Sequence, residues 1–144
     1  MKMFRIKSHI FIFLFTFLFI NNAFSKSNYF NEGKKFFENK KFSKSKFKFE
    51  QDIVFNPKNE LSYLYLAKIF NEKEEYNLEE QNLNTVILIN PKNEEAVFLL
   101  ALLKIRQSNY SETEILIKNF KNICKTLCNK ETELNKKLKN LQTQ

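Results

Sequence analysis

The stretch Asn56-Pro57-Lys58-Asn59-Glu60 recurs letter for letter as Asn90-Pro91-Lys92-Asn93-Glu94, 34 residues on. Pro57 and Pro91 are the only prolines in the chain. A proline pushes the residue before it out of the α region, so Asn56 and Asn90 each end a preceding helix. Asn59 and Asn93 stand where a helix restarts, and an Asn side chain can accept from an otherwise orphaned N–H of the first turn. Glu60, and Glu94 with Glu95, place negative charge in that turn, where the helix dipole favours it. The pentapeptide therefore reads as stop, turn, cap and restart.

Composition agrees with helices throughout. The chain has 144 residues, one glycine, two prolines and no tryptophan. That length suits one domain. So few turn residues leave little material for hairpins, and an all-α chain is expected.

A shift of 34 residues lays the chain on itself. It carries Tyr29 onto Tyr63, Phe36 onto Phe70, and Gly33 onto Ala67 onto Ala101. It also carries Phe42 onto Tyr76 onto Tyr110. Each unit holds two apolar faces: Tyr29, Gly33 and Phe36, then Phe42, Ser45, Phe49 and Ile53; Tyr63, Leu66, Ala67 and Phe70, then Tyr76, Leu83, Val86 and Ile87; Val97, Leu100 and Ala101, then Tyr110, Ile117 and Phe120. A lone pair of amphipathic helices has nowhere to bury these faces, and stacking the pairs makes a continuous core.

In this register the chain resembles the tetratricopeptide repeat (TPR) proteins, whose unit is a 34-residue helix–turn–helix. The resemblance spans 26–127 as three units, 26–59, 60–93 and 94–127. Gly33 and Ala67 match the family's small residue of the first helix, and Phe42, Tyr76 and Tyr110 its second-helix aromatic. It implies a right-handed α-solenoid of three helix–turn–helix repeats. There are departures. The small residue of the second helix is Ser45, then Glu79, then Thr113, and Glu79 is awkward at a close-packed place. The third unit has Lys104 where an aromatic is usual and Lys125 where proline is usual, so its second helix is expected to run on toward Leu127.

Residues 128–144 read as a C-terminal capping helix. Leu134, Leu138 and Leu141 form one stripe, with Lys136, Lys137 and Lys139 off it. Covering the open end of the stack is the expected role, with a partner-binding tail as the alternative.

The first 25 residues differ in kind. Lys2, Arg5 and Lys7 precede an apolar run from Ile10 to Ile20 broken only by Thr16. That run is short of the roughly 20 residues that span a bilayer. Ala23 and Ser25 are small residues two apart. Basic start, short apolar core and small-residue exit describe a secretory signal peptide over 1–25, cleaved after Ser25. The mature chain is then exported, with the bacterial periplasm or cell envelope as destination; uncleaved, the segment is a membrane anchor.

Export bears on Cys124 and Cys128, the only cysteines. Two small buried hydrophobes are one reading. A disulfide, favoured in an oxidising compartment, is the other. Within a regular helical turn such a bridge is strained, and a helix break near Thr126 favours it.

The inventory argues against catalysis. The single histidine, His9, lies in the signal segment, so the rest of the chain has no imidazole for a nucleophile–base pair. Two cysteines are too few for a closed zinc site. Gly33 stands alone, so no glycine-rich loop can cradle phosphates. The acidic pairs Glu74–Glu75 and Glu79–Glu80 read as solvated helix surface. No enzyme activity, cofactor or metal is expected.

Charge is uneven. Residues 26–59 carry nine lysines against four acids. The run "KKFSKSKFKFE" interleaves Lys with Phe, but Phe42, Ser45 and Phe49 fit the second helix of a repeat. Export argues against nucleic acid as partner, whereas an anionic membrane surface stays open.

Groove-facing places, carried over from the resemblance by register, are Phe30, Lys34 and Phe37; Leu64, Lys68 and Asn71; and Phe98, Leu102, Ile105 and Arg106. This apolar groove with cations at intervals suits a protein or peptide with apolar anchors and a carboxylate; part of it serves equally as core beneath the terminal helix. TPR proteins that clamp the carboxyl tails of cytosolic chaperones carry a specific groove set of Lys, Asn and Arg. Here Phe30, Asn31, Tyr65, Glu95 and Leu99 occupy several of those places, so that activity is not implied. The expectation is an exported, non-enzymatic interaction scaffold of the cell envelope. The alternative is a peripheral protein docking on anionic lipid through its first repeat.

Overall fold

The computed structural model describes residues 28–142; the signal-peptide expectation lies outside them. Seven α-helices and no strands occur among the described residues. They are α1 (Tyr29–Glu38), α2 (Phe42–Phe55), α3 (Glu60–Glu72), α4 (Tyr76–Ile89), α5 (Glu94–Arg106), α6 (Tyr110–Ile123) and α7 (Lys130–Gln142). The first six form antiparallel pairs, α1–α2, α3–α4 and α5–α6, and successive pairs stack in chain order. α7 packs on α5 and α6.

The 34-residue period extends to the backbone. The turn inside each pair passes through one left-handed residue: Lys40 (φ 55°), Glu74 (φ 57°) and Ser108 (φ 56°). The following amide then reaches back across the turn, Lys41 to the Phe36 carbonyl, Glu75 to that of Phe70, and Asn109 to that of Lys104, each at 2.9 Å. This is a Schellman-type helix ending, which satisfies carbonyls the last turn would leave orphaned. Glycine usually takes the left-handed place; none of the three is glycine.

The core fills differently along the stack. Near the first repeat it is aromatic: Tyr65 stacks on Phe49 at 5.0 Å and meets Phe37 and Phe30 edge-on at 5.1 and 5.9 Å. Phe49 leaves no room for a β-carbon at Gly33, since one built there lies 2.8 Å from its ring. One repeat on, the equivalent residues are Ala67 and Leu83, and then Ala101 and Ile117, all buried. A larger residue of the first helix thus accompanies a smaller one of the second. α5 is buried on nearly every side, from Ala96 to Ile105, as expected of a helix with neighbours on more than one face. From α7, Leu134 and Leu138 join the same core cluster; the side chain of Leu141 lies outside the described residues.

The three seams close by different means. At the first, buried Asp52 accepts from the Asn56 and Asn59 amides (3.0 and 2.6 Å) and the Ser62 hydroxyl (2.6 Å). Asn59 holds the N-cap position, but its side chain makes no cap bond. At the second seam Val86 replaces Asp52. Glu60 instead accepts from the Asn90 and Asn93 amides (2.9 and 3.2 Å), and Asn93 Oδ1 caps α5 by accepting from Ala96 N–H at 2.9 Å.

The third seam corrects the expected run-on. α6 ends at Ile123. Cys124 and Cys128 are disulfide-bonded across the turn. Glu94, the equivalent of Glu60, accepts from the backbone N–H of Thr126 (3.0 Å) and Leu127 (2.9 Å). A carboxylate and a covalent bridge end this helix where proline ends the others.

Candidate functional site

The first helices of the three pairs converge on one groove of about 340 Å³, with a side chain of α4 at its wall. Phe37 comes from α1, Lys68, Asn71 and Glu72 from α3, Glu79 from α4, and Leu99, Leu102 and Arg106 from α5. The groove therefore exists because the pairs are stacked; no single repeat makes it.

Of the ten groove positions expected from register, five line it: Phe37, Lys68, Asn71, Leu102 and Arg106. Leu64, Phe98 and Ile105 are buried in the core. Phe98 packs its ring at 6.0 Å from that of Phe120, and Lys130 of the terminal helix sits over its face. Phe30 is half-buried and engaged with Phe49 and Tyr65. Lys34 is exposed and lies 4.0 Å from Glu38.

The cations are not free. Arg106 Nη2 donates to both carboxylate oxygens of Glu79, at 2.9 and 2.8 Å. Its guanidinium also lies over the Tyr76 ring, 5.2 Å from the centroid. The Glu79 side chain is only 2% exposed, and the Asn71 amide donates to it at 2.9 Å. Lys68 pairs with Glu95 at 2.7 Å. Burying a charge is tolerable only with such partners, so Glu79 fits its close-packed place because Arg106 and Asn71 reach it.

Glu80 likewise departs from the solvated-surface reading. It accepts from buried Lys104 at 2.6 Å, and Glu112 lies 3.1 Å from the same ammonium. The bond from Lys104 holds the Glu80 carboxyl below its usual range. Burial alone would lower the Lys104 pKa; the bonds to Glu80 and Glu112 outweigh it and raise the pKa. Lys104 thereby ties α4 to α6 from the place an aromatic holds in the first two units.

Register did not single out Leu99, Glu72 or Glu79 as groove-lining. By register Leu99 takes only a place that chaperone-clamping TPR proteins fill with a polar residue. The signal for Glu79 was its breach of the small-residue pattern. Glu72 ends α3, and a helix-terminal charge carries no mark in the sequence that tells a groove rim from open solvent.

Helix pairs of this length, stacked in this order with a terminal helix, define a TPR-type α-solenoid. Solved TPR domains superpose on the chain. The TPR2B domain of yeast Sti1 in its pHsp70 complex has a TM-score of 0.71 at 15% identity, covering 76% of this chain and 92% of that one. The first TPR of Spaghetti (RPAP3), bound to the HSP90 peptide SRMEEVD, gives 0.71 at 14% identity, covering 79% and 90%. The Sgt2 TPR domain from Aspergillus fumigatus gives 0.69 at 15% identity, covering 84% of each chain. No family model and no curated protein matches the sequence.

Proposed function

We propose that this chain is an exported, non-enzymatic protein-interaction scaffold that takes a peptide or protein segment in the groove between α1, α3 and α5. The observation that carries the reading is the open groove itself, with the apolar side chains of Phe37, Leu99 and Leu102 on it. One of the similar structures holds an HSP90 peptide and another is a pHsp70 complex, which supports a peptide or protein segment as the kind of ligand such a solenoid accepts. The Cys124–Cys128 bridge supports export, since disulfides persist in oxidising compartments. Envelope assembly is the role proposed for such an exported scaffold.

The test is capture from envelope extracts by purified protein, with Leu102→Glu as control. Retention of one envelope protein through a high-salt wash, lost in the variant, is the expected result. Equal capture by the variant would refute the groove reading.

One observation favours a second reading, docking on anionic lipid. Phe47 is 58% exposed. With Phe36, Ser43, Lys44 and Lys48 it lines a depression of about 380 Å³ on the Lys-rich first repeat. Among the described residues no helix is long and apolar enough to cross a membrane. Binding to phosphatidylserine vesicles that high salt reverses, and that Phe47→Ala weakens, is its expected signature; no vesicle binding at low salt would dismiss it.

A further inference from the structure

From the groove's charges we infer that it selects an apolar segment bearing a lysine or arginine, read by Glu72, rather than one ending in a carboxylate. This rests on the groove reading above and names the ligand class.

Every cation on the groove already has an internal carboxylate: Arg106 has Glu79 and Lys68 has Glu95. A ligand carboxylate would have to displace one of these. At Arg106 that would strand a buried Glu79, which costs far more than a surface contact returns. Glu72 is exposed on the groove, and among the described residues it has no ion-pair partner.

Its place in the helix points the same way. Glu72 is the last residue of α3, and the last turn of α3 holds no basic residue. A carboxylate there faces the negative end of the helix dipole, where a cation is favoured. Lys73, the next residue, lies 4.0 Å from Glu75 instead. A ligand ammonium or guanidinium would meet both Glu72 and the helix end, while the ligand's apolar residues meet Phe37, Leu99 and Leu102.

The experiment is an array of short acetylated, amidated peptides with leucines at varied spacing, each made with one lysine, with glutamate in its place, and as a neutral sequence with a free terminal carboxylate. Binding is read by fluorescence anisotropy. Lysine versions should bind roughly two- to fivefold tighter than their glutamate twins, the range of one partly exposed ion pair. Glu72→Gln should remove the difference and Glu72→Lys should invert it, with both variants keeping the wild-type circular dichroism. Preference for glutamate or for the free carboxylate, or a lysine preference that survives Glu72→Gln, overturns the inference and leaves the groove reading intact. Absence of binding by every peptide, or binding that Leu102→Glu does not weaken, overturns the groove reading and the inference with it.

Discussion

Arg106 donates to both carboxylate oxygens of Glu79, joining α5 to α4 across a repeat boundary. The two ends of this pair are unequal: the Glu79 side chain is 2% exposed and that of Arg106 is 39% exposed. Removing the arginine leaves a buried charge with only Asn71, whereas removing the glutamate leaves an arginine that water can solvate. Arg106→Ala should therefore cost about 2–3 kcal/mol, below the roughly 3–5 kcal/mol of a fully buried pair. Glu79→Thr, which borrows the residue of the third repeat, should cost about 1 kcal/mol. Urea denaturation of the two variants checks the order.

Gly33 and Phe49 make a second asymmetric pair. A methyl group at Gly33 meets the Phe49 ring at 2.8 to 3.0 Å. That ring is fully buried and stacked on Tyr65, so it has little room to yield. Gly33→Ala should destabilise by about 1–2 kcal/mol, the overpacking cost less the helix propensity gained. Combined with Phe49→Leu, which copies the Ala67 and Leu83 of the second repeat, it should cost less than the sum of the single changes. A double-mutant cycle measures that coupling.

The left-handed residues Lys40, Glu74 and Ser108 each hold a conformation that L side chains adopt at a cost of roughly 1–2 kcal/mol. Glycine relieves that cost but loses more chain entropy on folding. Glu74→Gly should accordingly raise stability by about 0.5–1 kcal/mol, and Glu74→Val should lower it by more than that. The same two changes at Glu75, one residue along, should both be neutral or destabilising. Thermal melts of the four variants decide whether the turn is built as described.

Glu94 holds the third seam by accepting from Thr126 and Leu127. The Leu127 N–H is the main reason its carboxyl lies below the ordinary value of 4.5, with those of Lys125 and Thr126 adding to it. A carboxyl with a lowered folded-state pKa contributes its stability above about pH 4.5, and that contribution is lost as pH falls through the folded-state value. Glu80, lowered by its bond from Lys104, acts in the same window. Urea midpoints should thus fall on acidification below pH 4.5, and the fall should be shallower in Glu94→Gln. An unchanged slope would remove Glu94 from this role.

The Cys124–Cys128 bridge closes a short loop after α6. Loop-closure entropy for such a span gives roughly 2 kcal/mol. Cys124→Ser with Cys128→Ser should lower stability by about that amount, and reductant should lower the wild type to the same level. Mass spectrometry should show a chain two hydrogen atoms lighter than the dithiol, and the proposed export predicts one lacking residues 1–25 as well.

The repeat was legible because its marks are local and chemical. The two NPKNE seams, and a 34-residue shift that set large residues on large, carried the helix pairs. What stayed hidden depended on contacts far apart in the chain. Glu79 looked misplaced because its partner, Arg106, comes 27 residues later. Lys104 looked like a missing aromatic because Glu80 and Glu112 lie on other helices. The end of α6 could not be read from Lys125, since Glu94 and the disulfide supply the stop. The left-handed turns were silent, with Lys, Glu and Ser where glycine would have marked them. Of the groove places that register names, Phe37, Lys68, Asn71, Leu102 and Arg106 line the depression, whereas Leu64, Phe98 and Ile105 are buried by neighbouring helices.

The central claim is that a partner binds on the face built by α1, α3 and α5. In-cell photo-crosslinking tests it most directly, with a photoreactive side chain placed at Leu99 or Leu102 on the groove and at Leu88, which is 82% exposed on α4. The account predicts one discrete adduct from Leu99 and Leu102, lost when Phe37→Glu is added, and none from Leu88. An adduct from Leu88 alone, or groove adducts that Phe37→Glu does not diminish, would contradict it.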